Sequence, residues 1–148
     1  QKLSDGTNTA VAQMVDVIDA HGHGVVHFAD RGQVGQTTVF EQLDAALANT
    51  GGKTVMLDFY ADWCVSCKEM EKLTFVDERV QSKLGNTLLL QVDVTANDEA
   101  DKAMLKRFTL FGPPAIILFD NKGQEIADSR VIGYQAPDKF LNSLGRLN

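Results

Sequence analysis

The sequence predicts an α/β fold in which a central mixed β-sheet carries helices on both faces. Two observations predict it. Three near-continuous apolar runs, at residues 54–60, 87–94 and 115–119, have the length and composition of buried strands, and segments of helical spacing separate them. After the third run, Asp120-Asn121-Lys122-Gly123 is a turn sequence, so residues 124–132 are expected to return as an antiparallel strand.

The elements follow in chain order. Residues 1–24 open with the polar stretch Gln1-Lys2-Leu3-Ser4-Asp5-Gly6 and read as a linker or N-terminal extension. Within them, Val11, Met14, Val15 and Ile18 have helical spacing, and Gly22 and Gly24 stop any helix there. Residues 24–29 read as a first strand. Thr37-Thr38 followed by Glu41 resembles a capping box, with Val39, Phe40, Leu43, Ala46 and Leu47 along one helix face and Gly51-Gly52 closing it. A helix opened by Cys64 is expected to run through Met70, Leu73 and Phe75 and to resume from Val80 to Leu84. Asp98 caps a helix over residues 99–108, and Pro137-Asp138 opens a last one through Phe140, Leu141 and Leu144. From residue 25 the order is β-α-β-α-β-α-β-β-α, a single domain over residues 25–148.

Composition narrows the function. With 44% hydrophobic residues the 148-residue chain can bury a core without covalent staples. Fourteen basic against 20 acidic residues give a net charge of −6, which argues against a nucleic-acid partner. No apolar run approaches the ~20 residues of a membrane span. No basic and apolar leader is visible, so a signal peptide is not expected; a chain opening on Gln1 reads as a mature product or an excised domain whose anchor lies elsewhere.

Both cysteines lie in Tyr60-Ala61-Asp62-Trp63-Cys64-Val65-Ser66-Cys67-Lys68, directly after an apolar run. A Cys-x-x-Cys that ends a strand and opens a helix is a redox motif. Thiol–disulfide exchange needs an attacking thiolate and a second thiol near enough to release the mixed disulfide. At the helix start Cys64 is expected to expose its sulfur to unsatisfied backbone N–H groups, which favour a thiolate by roughly 0.3–1 kcal/mol. Cys67, a turn further in, is expected to be more buried and to resolve. The competing assignment is half a zinc site, which needs two more ligands. The only histidines are His21, His23 and His27, with no second cysteine pair, so no metal is expected.

Residues 54–67 together resemble the active-site strand and turn of the thioredoxin superfamily, with Trp63 before the first cysteine and Asp58 six residues before it. Gly112-Pro113-Pro114-Ala115 is similar to that family's cis-proline loop, with Pro114 in the cis position. The resemblance covers about residues 25–147 and implies the thioredoxin fold. Val65-Ser66 departs from the Gly-Pro of ordinary thioredoxins. The longer pattern from Tyr60 to Phe75, with Val94-Thr95-Ala96-Asn97-Asp98 downstream, resembles the C-terminal periplasmic domain of the DsbD family of thiol:disulfide interchange proteins. That resemblance implies a protein-disulfide reductase of the periplasm, part of an inner-membrane protein. It implies electrons received from a transmembrane domain of the same protein and passed to its N-terminal periplasmic domain or another disulfide-bearing protein. Electrons travel as dithiols, so no bound cofactor is expected, and the domain is expected to be a monomer.

Several neighbours are candidates for tuning the pair. Asp58 interrupts an apolar strand, and a buried carboxyl there would accept the proton of Cys67; a strand-end Asp paired with Lys or backbone is the plainer reading. Glu71 shares a helix face with Cys67; spacing alone gives a solvated Glu beside Lys68 and Lys72, and the DsbD resemblance implies that it faces the site. Both acids would oppose the helix terminus and keep Cys64 protonated. Trp63 and Tyr60 are expected to form an apolar rim, with a core position also open for Tyr60, while Lys68 reads as a surface residue. Pro114 would set the Pro113 backbone beside Cys64 for an extended partner chain. Two other functions stay open: a thioredoxin-like reductase of cytochrome c maturation, and a non-catalytic binding module with a structural disulfide.

Overall fold

The computed structural model describes residues 25–27 and 39–147. Five strands form one sheet in the order β1-β3-β2-β4-β5, with β1 at Val25–His27, β2 at Thr54–Tyr60, β3 at Thr87–Asp93, β4 at Ala115–Phe119 and β5 at Val131–Ile132. β3 runs parallel to both β1 and β2, while β4 is antiparallel to β2 and β5. The fold is thioredoxin-like. The helix expected within residues 11–18 lies outside the described residues, as do His21 and His23.

The helices are α1 (Val39–Ala48), α2 (Val65–Glu69), α3 (Glu78–Lys83), α4 (Glu99–Arg107) and α5 (Pro137–Leu144). Side chains alternate across a strand, so the sheet feeds two cores. Val55, Leu57 and Phe59 of β2 join Leu43 of α1 and Met104 and Phe108 from and beside α4. Met56 points the other way, into a second cluster with Met70, Phe75, Val80, Phe140 and Leu144. β2 is buried on both faces, which is why its sequence is apolar almost throughout. Asp58 is the exception, and it falls on the Met56 face.

The helix ends follow local chemistry. Asp98 Oδ1 accepts from Asp101 N at 2.9 Å and Asp101 answers with a bond from Asp98 N, a reciprocal capping box. Pro137 occupies the first turn of α5, where its missing N–H is not needed. Among the described residues, no helix is long and apolar enough to cross a membrane.

Two expectations need correction. The helix opened by Cys64 does not continue as a regular helix to Phe75: after Glu69 the chain widens into a π turn over Met70–Thr74, closed by Phe75 N donating to Met70 O at 2.8 Å. The return strand expected over residues 124–132 shrinks to β5 and one bridge between Phe119 and Glu125. The cause is a second turn, in which Asp128 takes φ of 57° and Ser129 Oγ donates to Ile126 O at 2.7 Å, a backbone no strand can hold.

Candidate active site

β2 ends at Tyr60, and the chain turns at Ala61-Asp62-Trp63 before α2 starts. Cys64 N donates to Ala61 O at 3.1 Å, fixing the turn. Cys64 is then the N-cap of α2: its backbone is extended (φ −91°, ψ 105°) and its Sγ accepts from Cys67 N at 3.1 Å. Sulfur here takes the place of the usual Ser or Asp oxygen. Cys64 and Cys67 are joined in a disulfide with their Cα atoms 5.2 Å apart. The expected contrast in exposure between them is small, since Cys64 is 6% and Cys67 4% exposed. The bond closes Cys64 down onto the first turn. Cys67 Sγ also stands 4.0 Å from Phe59 O, an acceptor for the thiol that reduction would produce.

The turn is braced from β3. Thr95 Oγ1 accepts from Asp62 N at 2.8 Å, and Thr95 O accepts from Trp63 Nε1 at 2.9 Å. Thr95 N in turn donates to Asp93 Oδ1 at 2.8 Å. Trp63 is therefore held in place while remaining 56% exposed. Tyr60 does not share that rim. It is 1% exposed, so its ring belongs to the core, and only its hydroxyl reaches outward, donating to Asp62 Oδ1 at 3.1 Å and accepting from Lys68 Nζ at 2.6 Å. Burial first, then the negative charges of Glu71 and Asp62, push the Tyr60 phenol well above its ordinary value. Lys68 is only partly a surface residue: it is tied to Tyr60 and stands 4.0 Å from Asp62.

Asp58 and Glu71 are both buried. Desolvation raises the Asp58 carboxyl well above its usual range, the charge of Glu71 raises it further, and the Gln91 amide opposes this as a weak donor. Glu71 is pushed up to about 7, mainly by burial, with Lys68 opposing and Asp62 assisting. The two carboxyls thus sense each other. Asp58 falls on the Met56 face of β2, and Glu71 stands on the π turn that follows the helix carrying Cys67, whereas Cys64 and Cys67 pack with the cluster on the other face.

The Pro113–Pro114 peptide is cis. β4 begins at Ala115, the Cα partner of Phe59, so this peptide stands at the same end of the sheet as Cys64. Exposed apolar side chains adjoin both segments, Trp63 and Val65 around Cys64 and Phe111 before Gly112-Pro113. Among the described residues, no group of three or more His, Cys, Asp or Glu is arranged to hold a metal.

A thioredoxin-like domain family matches residues 41–148. The crystal structure of the DsbD C-terminal domain of Neisseria meningitidis in its oxidised form aligns with a TM-score of 0.64 and 34% identity, covering 83% of this chain and 100% of that one. This chain belongs to the thioredoxin-like family, with the DsbD C-terminal domains. The thiol:disulfide interchange protein DsbD of Ralstonia nicotianae is 57% identical over 108 residues, and that of Yersinia pestis (strain Pestoides F) 54% over 103. Those stretches are 73% and 70% of this chain and 17% of each relative, so the chain spans under a fifth of the length of these curated proteins.

Sequence reasoning about this DsbD-type domain missed three residues that the structure sets around the site. Thr95 lies in the 94–98 stretch, but nothing in a hydroxyl's position along the chain says which loop it braces. Lys68 reads as a surface residue because its link to Tyr60 depends on where the helix meets the strand. Gln91 interrupts an apolar strand as Asp58 does, and that signal was legible.

Proposed function

We propose that this domain is a thiol:disulfide oxidoreductase, acting as a protein-disulfide reductase. The observation that carries the reading is a Cys-x-x-Cys disulfide that caps the helix following β2, the strand in which Asp58 is buried. In the reductive direction, the Cys64 thiolate attacks a partner disulfide, forming a Cys64–partner bond and expelling the partner's other sulfur as a thiolate, which takes up a proton. Cys67 then gives its proton to Asp58 and attacks Cys64 Sγ. The Cys64–Cys67 bond forms, the Cys64–partner bond breaks, and the partner leaves reduced by two electrons. Glu71 exchanges protons with Asp58 and the solvent. Both acids oppose ionisation of the reduced thiols, so Cys64 is held back at neutral pH; an alkylation rate already at its plateau at neutral pH would overturn that restraint.

Trp63 and the Pro113–Pro114 backbone supply the surface for an extended partner segment. Tyr60, being buried, supports that surface through Asp62 and Lys68. The similarity to DsbD supports a place in an electron relay: a transmembrane domain of the same protein as donor, and its N-terminal periplasmic domain or another periplasmic disulfide protein as acceptor. In this reading residues 25–148 are the redox domain, residues 1–24 are its tether, and the domain works as a monomer at the periplasmic side of the inner membrane.

The low exposure of both cysteines gives one rival reading a foothold, a binding module whose disulfide is only structural. Incubating the reduced chain with a disulfide-bearing protein separates the two. Electron transfer that is lost in Cys64→Ser, with a mixed disulfide accumulating in Cys67→Ser, is the expected outcome. No transfer by the unmodified chain, or full transfer by Cys64→Ser, would sink the proposal.

A further inference from the structure

Gln91 lies in the middle of β3 with 0% exposure, and its Cα partner in β2 is Asp58. Strand alternation puts both on the Met56 face, the face that Glu71 approaches from the π turn. Gln91 comes near enough to Asp58 to favour its carboxylate weakly, yet neither Nε2 nor Oε1 completes a well-formed hydrogen bond among the described residues, and Glu71 Oε2 is the other buried side-chain atom in that condition. Buried polar groups are ordinarily paired, because leaving a donor or acceptor unmade forfeits its full hydration. A methionine or leucine would fill the same space without that cost. An amide kept beside a buried acid without a well-formed hydrogen bond therefore points to another state of that acid in which it is fully used.

We propose that Gln91 is the positioning residue for the proton steps of the dithiol pair, its carboxamide partnering Asp58 and Glu71 in both of their protonation states. This rests on the reading of Asp58 as the proton acceptor for Cys67. An ionised carboxylate only accepts hydrogen bonds, and a protonated one also donates. Gln91 carries one group of each kind on a terminal torsion with broad, roughly two-fold preferences. Nε2 donates to Asp58 while that carboxylate waits for the proton. When Cys67 delivers the proton and becomes the attacking thiolate, Asp58 acquires an O–H, and Oε1 accepts from it. When the proton passes to Glu71 and the solvent, the amide turns back. A lysine at this position would only donate and would hold both acids ionised; a third acid would add repulsion.

The surroundings suit such a neutral partner. Besides Asp58 on β2 and Glu71 on the π turn, the charges acting on the pocket are Lys68, Lys72 and Asp62, all of which act on Glu71. Across β4 the Cα partner of Asp58 is the apolar Ile116, α5 contributes Phe140 and Leu144 to this face, and in β1 the Cα partner of Gln91 is His27.

The test is the reaction of the reduced chain with 5,5′-dithiobis(2-nitrobenzoate), in which release of the second coloured thiol reports the attack of Cys67 on Cys64. Asp58→Asn and Gln91→Met are compared with the unmodified chain from about pH 5 to pH 9. The expected result is a second release slowed about tenfold or more in both variants, with an altered pH profile in Gln91→Met. A slowed Asp58→Asn beside an unchanged rate and profile in Gln91→Met overturns the role of Gln91 alone. An unchanged Asp58→Asn overturns the reading of Asp58 and this proposal with it. Should Gln91→Met fail to fold, the unmodified chain still decides: the Gln91 side-chain NH2 resonances must shift with the titration of Asp58 and Glu71, and flat resonances overturn the proposal.

Discussion

Thr74 and Gln135 lock the π turn to the loop ahead of α5: the fully buried Thr74 Oγ1 donates to Gln135 O at 2.6 Å, and Gln135 N donates back to Met70 Sδ at 3.4 Å. The turn that carries Glu71 is therefore clamped from outside its own helix. Thr74→Val keeps the shape and removes the donor, so it is expected to cost about 1 kcal/mol. Urea unfolding of the oxidised chain measures it, and a loss within error of zero would show that the clamp does not hold the turn.

Glu71 makes stability depend on pH. Its folded-state value of about 7 lies above the ordinary 4.5, so the folded chain binds more protons than the unfolded one between those values. The resulting stabilisation is full below about pH 4.5 and is lost as pH rises through about 7; the raised Asp58 acts in the same direction. At 1.36 kcal/mol per pH unit the effect of Glu71 is on the order of 3 kcal/mol. Glu71→Gln is expected to remove this slope, gaining on the unmodified chain at pH 8 relative to pH 5, an interval that takes in most of the steep range. Parallel stability–pH curves for the two proteins would contradict it.

The brace on the active-site turn gives a third expectation. Thr95→Val leaves Asp62 N without its acceptor and weakens the corner that holds Trp63. A stability loss of about 1 kcal/mol should accompany a red-shifted and more quenchable Trp63 emission, since Trp63 is the only tryptophan. Identical emission and quenching in the variant would show that the Trp63 Nε1 bond alone fixes the ring.

At the far end of the sheet, Gly123 takes φ of 80°, and a Cβ there would stand 2.1 Å from Leu47 O. Positive φ alone costs a side-chain-bearing residue about 1–3 kcal/mol, and the backbone contact adds to it. Gly123→Ala is thus expected to destabilise the domain more than Thr74→Val does, while leaving thiol exchange by the remaining folded protein unchanged. Thermal unfolding checks the first part and exchange kinetics the second.

How much of this was legible in the sequence depends on whether the cause was local. The apolar runs of β2 and β4, the Asp98 cap and the Cys-x-x-Cys declare themselves because strand burial, capping and thiol spacing are written in neighbouring residues. Asp58 was visible as a charge inside an apolar strand, and Gln91 offered the same kind of interruption in β3 without a charge to draw notice. Tyr60 and Trp63 look alike at three residues' distance, and only the turn at Ala61–Asp62 decides that one is core and the other rim. The return strand failed because the left-handed backbone at Asp128 is set by contacts such as that of Ser129 with Ile126 O, not by the composition of residues 124–132.

Cys64 as the cap of α2 has a consequence of its own. The Cys67 N–H that closes the first turn is a stronger partner for a sulfur bearing charge than for one shared in a covalent bridge. Ionisation of the reduced Cys64 and the firmness of that turn are then coupled, and coupling free energies are reciprocal. A partner that grips and orders the start of α2 draws Cys64 towards its thiolate, and one that loosens it leaves the thiol protonated. Docking thereby acts against the restraint that the buried acids impose.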